Sequence, residues 1–151
     1  MKKYTMFTFL ALIITGCATT YQAPVTQSKI YTGNHNSSKG NLMAKAKKIL
    51  LLEGFQIQST DDEAGYISTS LKNWKLAPEE ASCGTTMGLD YLKDKRTKTE
   101  VAFNVIIDET TISIRSNIQG EYKPGAVDQD ITLTCVSKGV IEKKLAQKIS
   151  N

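Results

Sequence analysis

The sequence predicts a small α+β domain, a two-layer sandwich in which an antiparallel sheet of four or five strands is covered by two helices. Three observations predict it. Val101, Phe103, Val105 and Ile107 alternate with other residues, and after Asp108-Glu109-Thr110 so do Ile112, Ile114 and Ile118, the pattern of a β-hairpin with one apolar face. Two flanking segments carry helical spacing instead: Leu42, Ala46, Ile49, Leu50 and Glu53 in one, Ile141, Leu145 and Ile149 in the other. An apolar sheet face needs a cover, and two amphipathic helices supply it.

In chain order, Ser37 or Ser38 can cap a first helix that runs to about Glu53, and Gly54 suits its C-terminus. Residues 55–59 alternate as a strand, residues 60–64 form an acidic turn, and residues 65–71 alternate again, with Ile67, Thr69 and Leu71 on one face. Residues 72–98 are the least regular stretch. The strand pair of residues 101–118 follows, then a loop over residues 121–130 holding Pro124-Gly125. Residues 131–135 read as a short last strand, and Ser137 can cap the final helix.

The chain has 151 residues, 40% hydrophobic and 23% charged, which suits one domain with one core. Its beginning reads as a targeting segment. Lys2 and Lys3 precede an apolar run over residues 4–14, too short for the roughly 20 residues that span a bilayer. Ile14-Thr15-Gly16-Cys17 then resembles the lipobox of bacterial lipoproteins: an aliphatic residue, a small one, Gly or Ala, then Cys. The resemblance implies a signal peptide over residues 1–16, and lipidation of Cys17 by acyl chains that hold the protein on a membrane. Ala18, where an Asp tends to retain such proteins in the inner membrane, implies the periplasmic face of the outer membrane. Residues 17–38, rich in Thr, Gln, Asn and Ser, read as a flexible tether, with the folded domain over residues 39–151.

Without Lys2 and Lys3, 17 basic residues face 15 acidic ones, a balance that gives no electrostatic reason to seek nucleic acid. Cys83 and Cys135 are an even pair in an oxidising compartment, and we expect a disulfide between them rather than two free thiols. Closing about fifty residues contributes roughly 4 kcal/mol in the chain-entropy account.

No arrangement for catalysis is legible. The single histidine, His35, lies in the tether stretch and reads as solvated, away from any serine or cysteine it could activate. No phosphate loop, zinc spacing or cofactor motif is present. Asp61-Asp62-Glu63 reads as a solvated turn. Trp74, between Lys72 and Lys75 in an irregular stretch, suits an interaction anchor, or else plugs the end of the core. Tyr91 and Tyr122 are further aromatic candidates. Lys93, Lys95, Arg96 and Lys98 either contact anionic lipid or peptidoglycan, or solvate the approach to the next strand.

The run Glu53-Gly54-Phe55, an acidic turn, and Gly65-Tyr66-Ile67-Ser68-Thr69 is similar to the helix-grip domains of an accessory lipoprotein of the outer-membrane β-barrel assembly machine. That likeness covers about thirty residues and implies a helix-on-sheet architecture with a protein-binding role. The expected function is therefore a non-catalytic binding or accessory subunit of the cell envelope, with Trp74, Tyr91, Lys93 and Arg96 toward an envelope protein partner. The alternative is an inhibitor or sensor lipoprotein, such as one that blocks lysozyme.

Substituting Cys17→Ser should leave an uncleaved, unacylated precursor, read by intact mass and by electrophoretic mobility. A processed, acylated product from that variant would remove the lipobox reading.

Overall fold

The computed structural model describes residues 20–125 and 130–151; the expected signal peptide and Cys17 lie outside them. Twelve strands and two helices follow in the order β1 (Tyr21–Gln22), β2 (Tyr31–Asn34), α1 (Lys39–Leu52), β3 (Ile57–Asp61), β4 (Tyr66–Thr69), β5 (Lys72–Asn73), β6 (Ala81–Ser82), β7 (Thr85–Thr86), β8 (Leu89–Asp90), β9 (Thr97–Ile107), β10 (Thr111–Tyr122), β11 (Ile131–Thr134), β12 (Val136–Ser137) and α2 (Val140–Ser150). A 3₁₀ turn at Tyr91–Lys93 leads into β9.

The α+β class with two helices and an antiparallel sheet holds, but the sheet is larger than four or five strands. Seven strands join it, and separate ladders of three (β1, β7, β8) and two (β6, β12) accompany it. Its centre is the β9–β10 pair, in register from Ile107↔Ile112 to Thr97↔Tyr122. Each long strand has room for two short neighbours on its outer edge. On β10, β2 occupies residues 111–114 and β11 occupies residues 119–122. On β9, β4 and β5 lie end to end, and β3 pairs beyond β4.

The alternation seen in the sequence puts Val101, Phe103, Val105, Ile107, Ile112, Ile114 and Ile118 into one core. Leu42, Met43, Ala46 and Leu50 of α1, with Ile141, Leu145, Ala146 and Ile149 of α2, meet them there. The far face carries exposed Arg115, Asn117 and Gln119. The end of α1 is set by Gly54, at φ +79°: its N–H bonds to the Leu51 carbonyl and that of Phe55 to the Leu50 carbonyl. This paired closure needs a left-handed residue, and it turns Phe55 back into the core.

Two expectations are corrected. Residues 17–38 do not leave the domain at residue 39: from Tyr21 onward the described part of this stretch is built into the fold. Besides β1 and β2, the Lys29 N–H bonds to the Ser137 carbonyl and the Ser137 N–H to the Ser28 hydroxyl. His35 is accordingly buried rather than solvated, with Nδ1 3.0 Å from the Ser37 carbonyl and Nε2 3.1 Å from the Asp108 carbonyl. Edge ladders of two to four residues are too short to show a period, and Thr, Asn and Gly mark such pieces as coil. The second correction concerns α2, whose cap position is Gly139, not Ser137. The Ser137 hydroxyl accepts from the Gly139 N–H and donates to Glu142 at 2.7 Å. The Glu142 carboxylate is fully buried, and its second oxygen accepts from the Ser116 hydroxyl of β10.

Cys83 and Cys135 form a disulfide across 52 residues, with Cα atoms 4.1 Å apart, just beyond the β6–β12 ladder. The bond lies over Gly120: a Cβ there would stand 2.6 Å from the Cys135 sulfur and 3.1 Å from the Leu133 Cβ. Glycine is needed for space at this point, since the crosslink cannot withdraw. Gly120→Ala should therefore lower stability by about 1–3 kcal/mol, the usual cost of overpacking. Gly40→Ala, in α1 with nothing near its Cβ, should be neutral or stabilise by up to about 1 kcal/mol. Thermal melts of both check this, and an undisturbed Gly120→Ala protein contradicts the packing argument.

Candidate binding groove

Residues 72–98, taken as one irregular segment in the sequence, divide between two places. At the start, Trp74 lies half-buried beside the core. Its backbone is fixed by Thr99: the Trp74 N–H bonds to the Thr99 carbonyl, and the Thr99 hydroxyl donates to the Trp74 carbonyl. Its ring stacks on Phe55, centroids 5.5 Å apart and 28° between planes. Phe103 meets both rings edge-on, at 5.1 Å from Phe55 and 6.2 Å from Trp74. Lys72 Nζ sits 5.0 Å from the Phe55 centroid and 5.4 Å from that of Trp74, and also donates to the Glu53 carbonyl. A cation held over two aromatic faces stiffens both rings.

The three rings floor a groove whose opposite wall is Ile141 and Leu145 of α2, with a cavity of about 350 Å³. That volume lies at the small end of ligand and side-chain pockets. Two ion pairs cross its mouth, Lys148 with Glu53 and Lys144 with Glu80 at 2.9 Å. Glu80 also accepts from the Ala77 N–H at 3.2 Å. Burial alone would raise its pKa, but Lys144 and the Ala77 N–H together hold it below the ordinary value of 4.5. The arrangement is an apolar slot with a rim of alternating charge. It suits an apolar or aromatic side chain flanked by polar groups, the chemistry of an interface hot spot.

Of the residues singled out in the sequence, Trp74 alone lines this groove. Tyr91 and Arg96 come together elsewhere, around Tyr122: the Tyr91 ring is 4.9 Å from that of Tyr122, and the Arg96 guanidinium 4.9 Å from it on another approach. Asp94 binds Arg96 at 2.7 Å, which holds the Asp94 carboxyl well below the usual range. Lys93 is exposed in the 3₁₀ turn. Phe55, Phe103, Lys144 and Lys148 were not anticipated, and Lys72 was noted only as a neighbour of Trp74 in the chain. The two Phe residues read as strand core, and the lysines sat on the polar side of helical or loop patterns. Among the described residues no group of three His, Cys, Asp or Glu is placed to hold a metal ion.

Compared with protein-family models and with curated protein sequences, the chain matches none.

Glu80 carries the rim's pH signature. A carboxyl with a lowered pKa contributes above its ordinary value and loses that contribution as pH falls through the folded one. Glu80 should thus titrate below 4.5, and Lys144→Ala should bring its midpoint back up. Carboxyl chemical shifts followed by NMR check this, and an unchanged midpoint in the variant dissociates the two groups.

Proposed function

We propose that this chain is a lipoprotein of the bacterial envelope, anchored through Cys17 on the periplasmic face of the outer membrane. It acts without catalysis, as a binding or accessory subunit that holds an apolar side chain of an envelope protein partner in the Trp74 groove. The groove is the observation that carries the reading: a rigid aromatic floor, already ordered by Thr99, Lys72 and the Phe55 stack, needs little further ordering when a partner binds. The lipobox sequence supports the anchor, and the disulfide suits a compartment outside the cytoplasm. Both hydrogen-bond contacts of the His35 ring are to backbone carbonyls rather than to a serine hydroxyl or a cysteine thiol.

In this reading α2 contributes one wall of the interface, opposite Trp74. Leu145 and Ile141 serve the core and the groove at once.

A photo-crosslinking residue in place of exposed Gln147, at the groove's edge, should capture a discrete envelope protein in intact cells. Trp74→Ala should weaken that capture by about 2 kcal/mol, roughly thirtyfold in affinity. Lys144→Glu with Lys148→Glu reverses the rim charge without touching the floor, and should weaken capture while the melting temperature changes little. Unaltered capture by both variants places the interface elsewhere.

A further inference from the structure

The β7–β8 hairpin ends in Met87-Gly88, and its two large side chains face solvent: Met87 is 77% exposed and Leu89 76%. Both turn residues have positive φ, 52° at Met87 and 78° at Gly88. A tight two-residue hairpin turn demands this, and Asn or Asp followed by Gly is the usual solution. Methionine is poorly suited to the first position, because its Cβ crowds the backbone there. The chain thus keeps an apolar side chain at a strained point where a polar one would fit better and dissolve better.

The surroundings are specific. Tyr21 pairs with Thr86, next to the turn. Tyr21, Tyr91 and Tyr122 stand ring against ring, 5.8 Å and 4.9 Å between centroids, under Met87, Leu89 and the exposed Ile131. Their hydroxyls are bonded within the protein, Tyr91 to Thr86, Tyr21 to the Cys83 carbonyl and Thr134 N–H, and Tyr122 to Asp94, so the rings are held as a rigid aromatic support of the kind enriched at membrane–water interfaces. Over residues 86–98 there are four basic residues and two acidic ones. The acids are committed, Asp90 to the Leu92 N–H and Asp94 to Arg96. Lys93 and Lys95 are exposed and, among the described residues, make no ion pair. Position decides the occupant: Tyr21 lies four residues beyond Cys17, a span of at most about 14 Å.

We propose that the β7–β8 tip is a membrane-docking element: Met87 and Leu89 enter the acyl boundary of the bilayer, Tyr21 and Tyr122 lie at headgroup level, and Lys93 and Lys95 meet anionic headgroups. This rests on the lipid-anchor reading of Cys17, and adds that the domain lies on its membrane in one orientation instead of standing off it. Apolar tip and positive collar are the two terms that interfacial binding sums.

The test uses the full-length protein purified from membranes and returned to vesicles of phosphatidylethanolamine and phosphatidylglycerol with brominated acyl chains. Leu89→Trp adds a reporter at an exposed site. It should show blue-shifted emission and be quenched at least about twofold more than the parent, whose only tryptophan is Trp74, because a ring at the interface sits against the acyl chains. In phosphatidylcholine vesicles the added quenching should fall. Quenching equal to the parent overturns the proposal, as does a photo-crosslinker at position 89 that captures a discrete protein while Leu89→Trp stays unquenched. Intact mass of the same preparation reads the anchor separately. Acylated but unquenched protein overturns docking alone, and unacylated yet quenched protein overturns the anchor alone.

Discussion

Eleven consecutive residue pairs join β9 to β10, and the rest of the molecule is arranged against that ribbon. Every second residue on it points to the helices, so a slip of one residue would turn Phe103, Val105, Ile112 and Ile114 to solvent. The ribbon is longer than any of its neighbours, which lets each outer edge be shared by two short strands. Those strands come from the start, the middle and the end of the chain, and their positions are dictated by a register they do not themselves set. Small residues appear where the ribbon must admit something other than an apolar helix side chain: Gly120 beneath the disulfide and Ser116 beneath the Glu142 carboxylate.

The buried carboxylate of Glu142 is the core's main polar feature. A carboxylate removed from water is costly unless hydrogen bonded. Here two hydroxyls donate to it, one from β10 and one from β12, and it lies in the first turn of α2 where the helix dipole favours negative charge. These bonds fix α2 in rotation and along its axis. Ile141, Leu145, Lys144 and Lys148 follow, so the wall and half the rim of the Trp74 groove depend on a group that does not itself line it.

Both helices, the central hairpin and the cysteine pair were legible because each repeats a physical signal over many residues or, for the cysteines, follows from redox chemistry. Ile141, Leu145 and Ile149 needed no knowledge of the fold to be placed on one face. The strands β1 and β2 were illegible for the opposite reason: Tyr31–Asn34 has polar outer residues, a glycine and a partner eighty residues away. His35 was misjudged with them, since its burial comes only from that pairing. Trp74 stood out in the sequence as a residue type. Its companions did not, because Phe55 and Phe103 converge from the α1–β3 connection and from β9, and the lysines come from α2 and β5. A site assembled from separate elements leaves no local pattern.

Tyr21 gives the fold a mechanical property. Its hydroxyl accepts from the Thr134 N–H at 3.0 Å and lies 3.1 Å from the Cys83 carbonyl, so one side chain grips the backbone on both sides of the disulfide. Any pull transmitted along the chain at Thr20 meets this grip and the β1–β7 pairing first, both made of hydrogen bonds, and only then β2. Hydrogen-bond ladders yield one bond at a time when drawn from an end; a crosslink does not. The grip of Tyr21 is itself non-covalent, but the two backbone stretches it holds are tied to each other by the crosslink, so they cannot part and the seat for Tyr21 stays formed even when the ring leaves it.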